Sequence, residues 1–173
     1  RDCHKHNQEI KLVNTQTIGE DTGRLEHLWS NDFGNEYVTR NRNAWEARGA
    51  FWAGVLERHS IGSALEVGCN VGANLRWLAQ TLPHQSLSGV DINQQALDEF
   101  AQIFPDVRTR LAPARRLPFP DESFDLAFTM GVLIHQSPET LPQVISEIVR
   151  CAKKFVLCGE YFSEEEVEIP YRG

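Results

Sequence analysis

Residues 65–75 read Leu-Glu-Val-Gly-Cys-Asn-Val-Gly-Ala-Asn-Leu. An apolar run ends at Gly68, turns, and enters a helical pattern near Gly72. Glycine permits positive φ and lets a ligand approach the backbone closely. A helix start presents backbone N–H groups that no intrahelical carbonyl takes. In a dinucleotide site such a loop grips a pyrophosphate. The spacing here differs: three residues separate Gly68 from Gly72, and Asn70 stands where G-x-G-x-x-G has its second glycine. Glu66, just upstream of Gly68, would repel phosphates, so a zwitterionic ligand fits better. Taken alone, the loop is also what a tight βα turn needs.

Downstream, Leu87–Asp91 reads as a second apolar strand ending in an acid. Such an acid accepts hydrogen bonds from both ribose hydroxyls of a nucleoside, and Ile92 could cover one adenine face. Taken alone, Asp91 is also a solvated loop acid. His135 follows a fourth apolar strand and is the candidate general base; it could equally cap or pack on the next helix. Glu160 and Tyr161 end the fifth strand, at the sheet edge where open α/β folds bind ligands, or are simply a polar strand end. Tyr37, Arg40 and Asn41 precede the first strand. An arginine there could pair with a ligand carboxylate, or the three could form a solvated helix face.

These residues are positioned by an alternation of strands and helices. Ala64–Val67, Leu87–Asp91, 107–111, Phe124–Thr129 and 154–161 are expected strands. Helices are expected over 73–82, from an Asn93 cap to Phe104, and from Ser137-Pro138 to Cys151. Alternation of this kind gives right-handed crossovers and a parallel sheet covered on both faces. The expected fold is therefore α/β, a Rossmann-like doubly wound sheet with five visible strands. Residues 24–62 show a helical period broken at Asn31-Asp32 and Gly34-Asn35, with the longest piece over 43–59. They form an expected lid, in which Trp29, Phe33, Trp45 and Trp52 are read as packing rather than as a substrate cage. Residues 1–23 read as a flexible lead-in, and 63–173 as the ligand-binding core, one domain with the lid.

The 173 residues suit a single domain. Hydrophobic residues make up 41% and charged ones 24%, which excludes wholesale disorder. A net charge of −7 argues against a broad nucleic-acid footprint and for a small or cationic substrate. No apolar run approaches a membrane span, and the N-terminus has no signal-peptide core. A cytoplasmic monomer or homodimer without nucleic-acid or membrane partners is expected. Cys3, Cys69, Cys151 and Cys158 form no C-x-x-C pair, so neither a disulfide framework nor a zinc knuckle is expected. Cys69 and Cys158 read as small buried hydrophobes. Cys3, His4 and His6 could hold a metal, but a frayed polar terminus is the commoner arrangement, and no metal is expected. Arg115 and Arg116 read as surface residues.

In combination, E-x-G-x-N-x-G, the strand-end Asp91 and LPFPDESFD (117–125) resemble the class I S-adenosylmethionine (SAM) dependent methyltransferases over residues 63–162. More narrowly, LEHLWSNDFGNEYVTRN (25–41), EVGCNVGANL (66–75), VLIHQSPETLP (132–142) and GEYF…EIPYRG (159–173) resemble the pseudaminic-acid-biosynthesis-associated methylases. The resemblance implies SAM as cofactor, S-adenosylhomocysteine as product, and a small-molecule acceptor, a sugar or sugar-acid precursor of surface glycans among the candidates. It implies that Glu66, Gly68, Cys69, Asn70 and Gly72 frame the methionine part and that Asp91 binds ribose. Ile92 would pack on adenine, the Ala114 backbone would meet its edge, and Met130 and Gly131 would pass under the sulfonium. Tyr37 and Arg40 would belong to the lid over SAM. One departure stands out: Pro113 lies where the superfamily often has an acid for the adenine amine.

Two rivals share this pattern. An NAD-type oxidoreductase would want G-x-G-x-x-G and a hydride site. A non-catalytic partner subunit would keep the fold, although the intact Glu66, Gly68, Gly72 and Asp91 set argues against it. Class I methyltransferases commonly finish with an antiparallel strand pair, which a chain ending at Gly173 does not supply. A C-terminal truncation is therefore expected. The alternative is a minimal form whose open edge is covered by the lead-in or by a second copy.

Overall fold

Three short apolar runs, at 64–67, 87–91 and 124–130, are largely buried on both faces, which a covered parallel sheet satisfies, and two more exposed strands flank them. The computed structural model describes residues 15–43 and 45–165. The strands are β1 (Ala64–Val67), β2 (Leu87–Asp91), β3 (Arg108–Leu111), β4 (Phe124–Met130) and β5 (Ala152–Gly159). All neighbours are parallel, in the order β3-β2-β1-β4-β5. The order reverses between β1 and β4, where open sheets of this kind leave a crevice beyond the strand carboxyl ends.

Helices α1 (Thr15–Ser30), α2 (Asp32–Asn41) and α3 (Gly49–Arg58) precede the sheet, and α4 (Leu75–Leu78), α5 (Gln94–Ile103) and α6 (Leu141–Cys151) connect its strands. On one face Trp52 and Val55 of α3, Leu75 and Leu78 of α4, and Leu97 and Phe100 of α5 pack on Ala64, Leu126 and Phe128. On the other, Val144 and Ile148 of α6 pack on Leu65, Val67 and Ala127. Alternation along β1 thus sends Leu65 and Val67 to α6, and Glu66 to the side of α3 and α4.

Several boundaries differ from the sequence reading. α1 reaches back to Thr15, into the stretch expected as lead-in; residues 1–14, with Cys3, His4 and His6, lie outside the described residues. Asn31 separates α1 from α2 as expected, but Gly34 and Asn35 lie inside α2. Gly34 is needed for close approach: a Cβ there would meet the Trp29 carbonyl oxygen and, at 2.7 Å, Asn93 Nδ2. The helix expected over 73–82 shortens to Leu75–Leu78, because residues 80 and 81 donate to carbonyls three back and tighten the last turn before Pro83. α6 starts at Leu141 rather than Ser137, whose hydroxyl instead accepts from the Thr140 N–H at 3.3 Å in the preceding turn. Trp52 is core rather than lid, its ring 4.7 Å from Phe128.

One further expectation is corrected. Cys69 is buried, but Cys158 is exposed: it lies on β5, an edge strand among the described residues, beside Val156, itself 44% exposed. Arg115, expected as a surface residue, is partly exposed, and its guanidinium grips both carboxylate oxygens of Glu26 on α1, at 2.6 and 3.2 Å. No helix among the described residues is long and apolar enough to cross a membrane.

Candidate cofactor-binding site

Beyond the carboxyl ends of β1, β2 and β4 lies a cavity of about 1180 Å³, counting the solvent at its mouth. Its floor is the turn after β1. Gly68 (φ +75°), Asn70 (φ +46°) and Gly72 (φ +78°) all take left-handed conformations there. Asparagine is one of the few side chains that tolerates this region, which explains Asn70 in place of a glycine.

Glu66 projects from β1 beneath this turn and is 1% exposed. Asn74 Nδ2 donates to its Oε1, while Oε2 has no partner. Asn74 is held from its other end, its Oδ1 accepting from Arg48 Nη1 at 2.8 Å and from the Trp52 indole N–H at 3.2 Å. Burial pushes the Glu66 carboxyl up to about 8, against the opposing pull of Asn74, the Arg48 charge and the Leu75 backbone N–H. A second buried acceptor, Asn70 Oδ1, also lacks a partner. Both residues line the cavity. Two buried acceptors left unpaired in residues of one cavity wall are costly unless a ligand donates to them.

Asp91 ends β2 at the adjacent wall. Its Oδ2 accepts from the Asn70 N–H at 2.8 Å and its Oδ1 from the Asn93 N–H at 2.9 Å. Burial raises its pKa, and the N–H groups of Asn93, Asn70 and Ile92 oppose the rise. A carboxylate has about four acceptor positions, so these bonds orient Asp91 without exhausting it. Ile92 and Ala114 line the same end of the cavity, and Met130 and Gly131 the other. At Gly131 (φ +74°) an added Cβ would meet nothing within 4 Å, so this backbone borders open space.

The lid supplies the remaining wall. Gly34, Tyr37, Val38 and Asn41 line the cavity, the i, i+3, i+4, i+7 face of α2. Arg40 is off that face and outside the cavity, its guanidinium over the Phe33 ring at 5.8 Å. The helical phase of α2 thus does not bring Arg40, expected in the lid over the ligand, to the cavity wall. The arginine that does line the cavity is Arg48. Its place, in a short 3₁₀ turn before α3, carries no periodic signal. Asn74, at the end of the loop that follows β1, lines the cavity as well.

Gly72 too is outside the cavity lining. A Cβ there would enter the Phe100 ring, so its glycine serves the seating of the loop on α5. At Gly68 a Cβ would meet the Val132 side chain rather than open space. α4, the helix expected to open at this loop, has four residues.

His135 lines the cavity and packs on Trp29, ring centroids 4.5 Å apart. Burial lowers its pKa, and the Glu160 charge opposes this. Glu160 is turned away from the cavity. Its Oε1 accepts from Thr129 Oγ1 at 2.9 Å and the Val132 N–H at 3.1 Å, and its Oε2 from the Leu133 N–H at 3.2 Å. Tyr161 lies past the end of β5 and is 71% exposed. Of the two residues expected at the strand end, Glu160 is thus bonded to the turn after β4 and Tyr161 faces solvent. No cluster of metal-ligating side chains is found among the described residues.

Residues 64–154, more than half of the chain, match the model of the methyltransferase domain family, and the chain belongs to that family. An uncharacterized methyltransferase of Schizosaccharomyces pombe is 30% identical in an alignment 110 residues long that covers 56% of this chain and 38% of that one. The fold is shared with the SAM-bound amino pentose methyltransferase of Micromonospora echinaspora involved in calicheamicin biosynthesis. The TM-score is 0.64 and the identity 21%, over 79% of this chain and 60% of that one. It is shared likewise with the sugar N-methyltransferase of a Streptoalloteichus species, with a TM-score of 0.63 and 18% identity over 78% of this chain and 56% of that one. The chain therefore spans well under the full length of these proteins. SAM is the cofactor expected of this fold.

Proposed function

We propose that the chain transfers a methyl group from SAM to an oxygen or nitrogen of a small, sugar-like molecule. The observation that carries this reading is the unpaired, buried Glu66 Oε2 in a cavity that also holds Asp91. An ammonium donor satisfies the first acid and vicinal hydroxyls the second, and SAM carries both. Arg48 is the cation available to the carboxylate of the same zwitterion. Ile92 and the Ala114 backbone are proposed to bound the adenine.

When bound, SAM supplies a methyl group already activated on sulfur. The chain then has to align the acceptor and exclude water. Gly131 borders open space without a side chain, which leaves room for the reacting groups. His135 is proposed to take the acceptor's proton at a ring nitrogen. Its burial, which keeps the imidazole neutral near pH 7, supports that role.

A sugar-like acceptor is supported by the narrower resemblance in residues 25–41, 66–75, 132–142 and 159–173, and by the sugar methyltransferases that share the fold. Incubation with methyl-deuterated SAM and a panel of activated sugars and amines, read by mass spectrometry, tests the reading. One labelled methyl gained on a panel member is expected. Binding of S-adenosylhomocysteine without any transfer across the panel would favour a non-catalytic partner subunit.

A further inference from the structure

We propose that Asn93 is a positioning residue that couples docking of the lid to the cofactor site; the ligand part of this rests on the SAM reading above. Asn93 is 3% exposed and uses every polar atom it has. Its backbone N–H donates to Asp91 Oδ1 at 2.9 Å. Its Oδ1 accepts from the Ala96 N–H at 2.9 Å and caps α5. Its Nδ2 reaches across to the lid, donating to the Trp29 carbonyl at 3.1 Å and to Asn35 Oδ1 at 2.9 Å.

The lid end of this contact answers a local need. Trp29 lies in the last turn of α1, where carbonyls have no intrahelical N–H to accept from. Asn93 supplies one from the core. Gly34 lets the start of α2 seat against the same amide, since any Cβ would strike both the Trp29 carbonyl and Asn93 Nδ2. Trp29 and Tyr37 then present their side chains to the cavity, rings 5.3 Å apart. A single residue therefore fixes the acid at one wall through its backbone N–H, and the helix beside it and the elbow of the opposite wall through its side chain.

Coupling of this kind is reciprocal. A ligand held between Asp91 and the lid strengthens lid docking, and a released lid lowers apparent affinity by the fraction left undocked. Asn93→Asp isolates the tether. Aspartate caps a helix as well as asparagine, but it sets a carboxylate oxygen against the Trp29 carbonyl and Asn35 Oδ1. Asn35→Ala is the second variant; it removes one tether partner that lies outside the main cavity lining.

The test is backbone amide exchange over residues 29–38 in the ligand-free 173-residue chain, together with S-adenosylhomocysteine dissociation by stopped flow. Expected for Asn93→Asp are faster exchange over 29–38, unchanged exchange in β1 and β4, and dissociation faster by about tenfold. Asn35→Ala should shift both readouts in the same direction by less. Parent-like exchange over 29–38 in Asn93→Asp overturns the tether. Faster exchange with unchanged dissociation overturns the coupling. A parent chain that does not bind S-adenosylhomocysteine overturns the cofactor reading instead, and the exchange measurement then decides the tether by itself.

Discussion

The side-chain amide of Asn74 holds one oxygen of the buried Glu66 carboxyl and leaves the other without a partner at the cavity wall. Asn74 is in turn fixed by Arg48 and Trp52, so Glu66 cannot swing away to solvent. The ligand-free chain carries the cost of that acid, and a donor in the cavity relieves it.

The cost has a pH signature. The Glu66 pKa rises from 4.5 to about 8 on folding. Between these values the folded chain keeps a proton that the unfolded chain has released, so this residue's contribution falls as pH rises and levels off above about 8. Glu66→Gln removes the titration. Urea unfolding at pH 5 and pH 8 should show the variant gaining on the parent, by a difference on the order of a few kcal/mol. A pH-independent difference would mean that Glu66 is not buried as described.

Two glycines with similar φ should respond differently to valine. At Gly72 the new side chain enters the Phe100 ring, so Gly72→Val should lower the melting temperature steeply or prevent folding. At Gly131 the Cβ meets nothing within 4 Å, and the cost is backbone strain of about 1–3 kcal/mol. Gly131→Val should stay folded by circular dichroism and lose S-adenosylhomocysteine binding. Retained binding would place the ligand elsewhere.

His135 should separate binding from transfer. His135→Gln is expected to bind S-adenosylhomocysteine within about twofold of the parent while transfer falls by about 10² to 10⁴. Burial lowers the histidine pKa from 6.5, so the parent's rate should hold through neutral pH and decline only below 6.5. Competing-substrate assays with labelled SAM give both numbers, and an unchanged rate in the variant refutes the base assignment.

The parts legible in the sequence were those set by short-range rules. β1 and β2 fall on the expected residues because an apolar run bounded by glycine or an acid has little freedom in where it begins and ends. Asn93 caps α5 as a local cap should. The place of Arg40 is not legible because it depends on helical phase against a wall the sequence does not display. The partners of Glu160 are not legible because a strand-end acid looks alike whether it faces a ligand or backbone N–H groups. Arg48 and the Nδ2 side of Asn93 were invisible for the same reason: their partners lie 26 and 64 residues away, and nothing local marks them.

The central claim is that the cavity between Glu66 and Asp91 holds SAM, and calorimetric titration with S-adenosylhomocysteine, with NAD alongside, tests it most directly. The parent should bind one S-adenosylhomocysteine per chain and gain about 2.7 kcal/mol of stability at a hundredfold excess over the dissociation constant. Asp91→Ala should lose most of that gain, since two hydrogen bonds to a charged acceptor go with it, and NAD should give no heat of binding. Saturable binding of NAD, or S-adenosylhomocysteine binding indifferent to Asp91→Ala, would contradict the account.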